Sequence, residues 1–220
     1  MLDHQKAFID FALRHGVLKF GEFTLKSGRV SPYFFNTGLF RSGAQLAALG
    51  DYYAQTYHHA GVHADMVFGP AYKGIPLVSA VAICLYQRYR LDLPFAFNRK
   101  EAKNHGEGGQ LVGAPLAGRV LIVDDVITAG TSVRESVALI RDAGAEPCGV
   151  LIALDRQETG QGAQSATQEV ATQFGLPVHA LVTLRDLIDY LRAQVDDAGV
   201  LARLEAYRAR YGVDGDASAR

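Results

Sequence analysis

Asp124 and Asp125 stand side by side at the end of an apolar run, Val120-Leu121-Ile122-Val123, and Thr128, Ala129, Gly130, Thr131 and Ser132 follow within a few residues. Paired carboxylates can hold sugar hydroxyls or a hard divalent cation such as magnesium. A small, hydroxyl-rich, glycine-containing loop that opens a helix presents backbone N–H groups to an anion. Side by side, the two chemistries describe a site for a phosphorylated sugar. A Walker-type nucleotide loop is excluded, because no Gly-Lys-Ser/Thr ending is present. An empty strand, turn and capped helix would use the same residue types. The paired acids immediately before the loop weigh against that plainer reading.

A second candidate anion loop is Gly69-Pro70-Ala71-Tyr72-Lys73-Gly74, where Lys73 adds a cation to whatever the backbone donates. Alone, such a turn is weak evidence. With the first loop it supplies two anion sites flanking a pair of carboxylates, which suits a sugar phosphorylated at both ends. Positive charge gathers once more in RKEAKNHGEGG, with Arg99, Lys100, Lys103 and His105 beside Gly106, Gly108 and Gly109. A long, glycine-rich connection with little to bury is either functional or merely solvated. Its charge favours a mobile lid over an anion, spanning 99–113.

These groups need elements to hold them. Val120 to Val123 lacks helical spacing and reads as a parallel strand buried on both faces. Its carboxyl end is where open α/β sheets bind ligands. Val133, Val137, Ile140 and Arg141 recur at helical spacing, giving a helix from Thr131 to Ala143. Met66–Phe68, Pro94–Phe97, Val150–Leu154 and Val178–Val182 read as further strands. Ile75–Tyr89, Ser165–Phe174 and a Thr183-capped segment through Leu191 read as helices, so the expected fold class is α/β, a parallel twisted sheet flanked by helices. Upstream, Asp3 is the expected cap and Gly16 the stop of a first helix, with Phe8, Phe11 and Ala12 on one face. GEFTL and PYFFN around Lys26–Arg29 suggest a hairpin, which with the first helix makes a small N-terminal hood within residues 1–40. Ser42 caps a helix to about His59, and an amphipathic helix runs from about Val195 to Tyr211. The polar tail after Gly212 is expected to fray.

The 220 residues suit a single domain with a substantial core. A net charge of −1 without massed basic residues makes nucleic acid a poor partner. No stretch approaches membrane-spanning length, and the amino terminus lacks the pattern of a secretory leader. Cys84 and Cys148 lie apart in apolar segments and read as buried thiols of a cytoplasmic protein. His58, His59 and His63 have no acid or Cys at ligand spacing and read as a surface cluster at a helix end. Tyr52, Tyr53 and Tyr57 read as packing.

With those motifs in view, RVLIVDDVITAGTS resembles the phosphoribosyl-pyrophosphate (PRPP) loop of the type I phosphoribosyltransferases. Together with FGEFTLKSGRVSPYFFN, FGPAYKGIP, FNRKEAKNHGEGG and LDRQE, the likeness extends over nearly the whole chain to the orotate-specific family. The resemblance implies the type I phosphoribosyltransferase fold. It also implies transfer of a phosphoribosyl group from PRPP to N1 of orotate, with magnesium (Mg2+) carried by PRPP and water rather than by direct protein ligands. Thr128, Ala129, Gly130, Thr131 and Ser132 would then hold the 5-phosphate, with Val126 and Ile127 also binding PRPP. Asp124 and Asp125 would hold the ribose hydroxyls. Lys26, Tyr72 and Lys73 would lie at the pyrophosphate end with Arg99, Lys100, Lys103 and His105. Lys103, His105 and Asp125 would be catalytic.

Phe34, Phe35, Thr128 and Arg156 would border orotate, whose carboxylate the planar fork of Arg156 matches. An arginine just past a strand could equally be a surface ion pair. The resemblance further implies a homodimer, with Lys100 or Lys103 reaching into the partner's site. Many relatives carry an acid between the lid Lys and His, where this chain has Asn104. A PRPP-sensing regulator would lack a complete lid or add a DNA-binding module, and a receiver domain has no place for TAGTS or the aromatic hairpin. Another base-specific transferase is the remaining alternative.

Overall fold

The computed structural model describes residues 1–25, 28–103, 109–128, 130–159, 162–193 and 198–213. The chain opens with α1 (Asp3–Arg14), whose Leu2 stands at the cap position while Asp3 lies in the first turn. The expected Asp3 cap is thus one residue late. Gln5 reaches back to accept the Leu2 N–H at 2.8 Å, so a side chain of the first turn does the capping. An antiparallel hairpin follows, β1 (Leu18–Thr24) and β2 (Val30–Phe35), forming a two-stranded sheet of its own. A short 3-10 turn at Thr37–Leu39 leads to α2 (Gly43–His59), capped by Ser42 as expected.

Regular alternation then begins: β3 (Met66–Gly69), α3 (Gly74–Tyr89), β4 (Phe95–Lys103), β5 (Gly109–Gly113), β6 (Arg119–Val123), α4 (Thr131–Asp142) and β7 (Glu146–Asp155). The chain continues through α5 (Ala166–Phe174), β8 (Val178–Thr183), α6 (Leu184–Arg192) and α7 (Ala198–Tyr211). Six of these strands form one sheet in the order β5-β4-β3-β6-β7-β8, parallel throughout except for β5. The order runs outward one way from β3 and the other way from β6. That reversal opens a crevice at their carboxyl ends, where doubly wound sheets bind ligands.

Alternate side chains of β6 serve opposite cores. Leu121 and Val123 join α1, α2, α3, α6 and α7 on one face, while Val120 and Ile122 join α4 and α5 on the other. All four are fully buried, and each such burial is worth about 1.5–3 kcal/mol. This layering pins the end of β6, and with it Asp124 and Asp125.

The connection from Asn98 to Arg119 differs from the expectation. β4 continues to Lys103 and β5 returns antiparallel, pairing Phe97 with Val112 and Asn98 with Leu111. The run Gln110-Leu111-Val112 between glycines is too short to announce a strand. It pairs because β4 offers an otherwise open edge. Residues 104–108, including Asn104 and His105, lie outside the described residues, as do Lys26, Ala129, the connection at 194–197 and the tail from 214. Cys84 is buried and Cys148 only half-buried, and both are free thiols. His58 and His59 are exposed at the end of α2, His58 stacked on Tyr89. No helix among the described residues is long and apolar enough to cross a membrane.

Candidate active site

Both carboxylates past β6 are only 6% exposed and fully engaged. Asp124 Oδ1 accepts the Asp125 N–H at 2.8 Å, and its Oδ2 accepts the Ser132 hydroxyl at 2.8 Å. Asp125 Oδ1 accepts the Val126 N–H at 2.9 Å, while Oδ2 accepts from Thr37 Oγ1 at 2.8 Å and Lys73 Nζ at 2.6 Å. Burial and the neighbouring Asp125 charge push Asp124 up to about 6, against smaller opposing effects of Ser132, the Asp125 N–H and Lys73. The Tyr53 hydroxyl adds a 2.8 Å bond to the Asp124 carbonyl, so one of the packing tyrosines also steadies the site backbone. Neither Thr37 nor Tyr53 stood out in the sequence, since a Thr before a helix and a Tyr on a helix face carry no pattern of their own.

The loop after β6 ends at Gly130, which caps α4 with φ +67° and no side-chain bond to the helix. Only glycine adopts that left-handed conformation freely. Because Ser132 turns its hydroxyl to Asp124, the helix donors are not satisfied by a local side-chain cap, and the helix N-terminus suits an anion. Ile127 is buried with α4 and α5, and Val126 packs toward the opposite core. Their side chains are structural. Thr128 and Thr131 are exposed on the same loop.

Across the crevice, the loop after β3 folds back on itself. A Cβ on Gly69 would lie 2.2 Å from the Gly74 carbonyl oxygen, so the close approach demands glycine. Asn98 of β4 anchors this loop through a 2.8 Å bond from the Ala71 N–H. Lys73 thereby reaches Asp125 from one side of the crevice, and exposed Tyr72 lies under Lys100, whose Nζ is 5.3 Å from the ring centre. Arg99 is half-buried on β4.

Phe34 and Phe35 do not share a surface. As successive strand residues they point to opposite faces. Phe35 turns into the core beside Phe8, with ring centres 6.3 Å apart, and Phe34 lies against Phe23 at 5.5 Å. Arg156 is an ion-paired residue as its plainer reading had it, yet it is not on the surface. It is largely buried, 3.0 Å from Glu158 and 4.5 Å above the Tyr33 ring centre. Since the Ala153 N–H bonds the Asp125 carbonyl at 2.9 Å, Arg156 sits only three residues beyond the carboxylates along the same sheet edge.

No group of three or more His, Cys, Asp or Glu among the described residues is arranged as a metal cage. Every oxygen of Asp124 and Asp125 already accepts a protein hydrogen bond, an arrangement that fits Mg2+ held by substrate oxygens and water rather than by the two acids themselves.

A buried acid pair at the switch point, between an open helix N-terminus and a lysine-bearing loop, defines a phosphoribosyltransferase-type domain. The sequence pattern of the phosphoribosyl transferase domain matches residues 37–179. The orotate phosphoribosyltransferase of Methylococcus capsulatus is 64% identical over 212 residues, spanning 96% of this chain and 99% of its own. That of Thioalkalivibrio sulfidiphilus is 62% identical over 213 residues, spanning 97% and 100%. Among solved structures, the Francisella tularensis orotate phosphoribosyltransferase has a TM-score of 0.87 at 46% identity, covering 94% of this chain and all of that one. The chain belongs to the orotate phosphoribosyltransferase family.

Proposed function

We propose that this protein transfers the 5-phosphoribosyl group of PRPP to N1 of orotate, releasing orotidine 5′-monophosphate and pyrophosphate in pyrimidine biosynthesis. The observation that carries the reading is the buried Asp124–Asp125 pair set between two anion-ready loops. The loop from Thr128 to Ser132 takes the 5-phosphate and the two acids take the ribose hydroxyls. Lys73, Tyr72, Arg99, Lys100 and Lys26 serve the pyrophosphate. When bound, Mg2+ supplies Lewis-acid stabilisation of the leaving pyrophosphate.

As the bond to pyrophosphate breaks, the ribose becomes cationic, and the carboxylates beside it favour that charge. Lys73, drawn from Asp125 by the arriving hydroxyls, turns to the phosphate oxygens, and its present 2.6 Å contact with Asp125 at the crevice supports that role. Lys103 and His105 add positive charge at the leaving group, and the 99–113 segment acts as the lid that excludes water. Loss of orotate absorbance with PRPP and magnesium, repeated with uracil, adenine and hypoxanthine, tests the assignment. Turnover of another base but not orotate defeats it.

Arg156 is assigned to the orotate carboxylate. Arg156→Lys keeps the charge but loses the bidentate fork, so the orotate KM rises roughly tenfold or more while the PRPP KM stays close to wild type. Equal effects on both substrates would remove Arg156 from the base pocket.

A homodimer is part of the same proposal. Tyr72, Ile83 and Tyr86 are 68%, 56% and 49% exposed, and Ile83 and Tyr86 share one face of α3, an apolar surface suited to a second copy. If Lys103 acts in the partner's site, mixing Lys103→Ala with Asp125→Asn restores about a quarter of the sites after random reassociation. A mixture no more active than its parents, with exchange verified, places Lys103 in its own subunit. The two free cysteines suit a reducing, cytoplasmic setting.

A further inference from the structure

Arg156 is held from several directions. Its Nε and Nη2 both approach Glu158 Oε1, at 3.1 and 3.0 Å, and Nη2 also lies 3.3 Å from Ser31 Oγ. The same Oε1 accepts the Tyr33 hydroxyl at 2.9 Å, and Oε2 accepts the Tyr207 hydroxyl at 3.0 Å. Gln157 makes the pairing possible: its φ of +50° turns the chain so that residues two apart meet on one side. That left-handed turn costs about 1 kcal/mol outside glycine. It is secured by the Gln157 N–H to Asp155 at 2.9 Å and by Gln157 Oε1 accepting the Arg185 N–H at 3.1 Å.

The supports come from the two ends of the chain. Ser31 and Tyr33 belong to β2, and Tyr207 belongs to α7. All three lie outside the 37–179 stretch matched to the general domain. Further ties run between the same partners: the Thr159 N–H to the Tyr211 carbonyl at 2.8 Å, and Arg29 Nη1 to the Thr159 carbonyl at 2.8 Å. The Nε–Nη2 edge of Arg156 is taken by Glu158, and the Tyr207 hydroxyl hydrogen-bonds the same guanidinium.

We infer that Glu158, clasped by the phenols of Tyr33 and Tyr207, is a positioning residue that aims Arg156 at the substrate carboxylate, making the C-terminal helix a determinant of base specificity. Two phenol donors share the Glu158 charge, so the carboxylate orients the guanidinium without fully neutralising it. The inference rests on Arg156 meeting the orotate carboxylate.

The test is steady-state kinetics on the full-length enzyme with each substrate varied in turn. Glu158→Ala is expected to raise the orotate KM roughly tenfold and leave the PRPP KM within about twofold. Glu158→Gln, which keeps an acceptor for Nε and Nη2, should recover most of that loss. Tyr207→Phe removes one of the two hydroxyls that clasp Glu158 and should raise the orotate KM about threefold. An orotate KM unchanged or lowered in Glu158→Ala overturns the inference, since Glu158 would then be idle or a competitor for the fork. Equal rises for both substrates overturn it too, because they report a structural role only. Should Glu158→Ala not fold, Tyr207→Phe decides, and a wild-type orotate KM there is fatal. If Arg156→Lys itself leaves the orotate KM untouched, the underlying Arg156 assignment fails instead.

Discussion

Asp125→Asn is expected to lower kcat roughly a hundredfold at saturating PRPP, orotate and magnesium, the scale seen when one preorganised electrostatic partner of a transition state is lost. The amide preserves the size of the side chain and an oxygen for one of the present donors, the Val126 N–H or the Lys73–Thr37 pair. What it removes is the negative charge beside the ribose carbon as that carbon becomes cationic. The loss should therefore fall on kcat more than on either KM. Far-UV circular dichroism should match the wild type, because β6 is fixed by its two apolar cores rather than by the carboxylate. Wild-type turnover in a folded Asp125→Asn protein would contradict the role given to this residue.

Asp124→Asn should abolish most activity yet stabilise the fold at neutral pH. Asp124 has an ordinary value of 3.8 and is held up to about 6 in the fold, chiefly by burial and then by Asp125. A carboxyl shifted upward favours the folded state when protonated. Its contribution is complete below pH 4 and is lost as the pH rises through about 6. At pH 7 the ionised group then costs about 3 kcal/mol, an order-of-magnitude figure. Asparagine keeps an oxygen for the Asp125 N–H, and the Ser132 hydroxyl can reverse to accept from the amide. Relief of the buried charge should raise Tm by about 5 °C or more at pH 7. The difference should shrink as both proteins are taken toward pH 4. A mutant less stable than wild type at pH 7 would show that ionised Asp124 supports the fold. The expected pattern is a functional site retained at a cost in stability.

The connection from Asn98 to Arg119 is the part of the chain least legible in the sequence. Charge and glycines marked Arg99 to Gly109 as unusual, but the β4–β5 pairing depends on an open sheet edge that only the assembled strand order creates. Phe34 and Phe35 illustrate a different limit. Adjacent aromatic residues look like one apolar surface in a sequence, whereas a strand sends them to opposite faces, and the neighbouring helix α1 decides that Phe35 goes inward. The position of Asp3, one residue inside α1 rather than at its cap, reflects the usual uncertainty at helix ends.

The local chemistry was determined by sequence alone. A short apolar run without helical spacing reads as a strand buried on both sides, acids at its carboxyl end then fall at the ligand-binding edge of the sheet, and a Thr-Ala-Gly-Thr-Ser segment before a helical repeat reads as the opening of that helix beside them. Those rules act within about a dozen residues, so they survive without knowledge of the fold. Distant pairings came only with the tertiary structure: Lys73 and Thr37 on one Asp125 oxygen, and Arg156 fixed by Glu158 between Tyr33 of β2 and Tyr207 of α7. Nothing in the local pattern around Glu158 or Tyr207 distinguishes them from surface residues. Their partners lie 125 and 49 positions away, and it is the packing of α7 across the hairpin that removes water and makes those hydrogen bonds form.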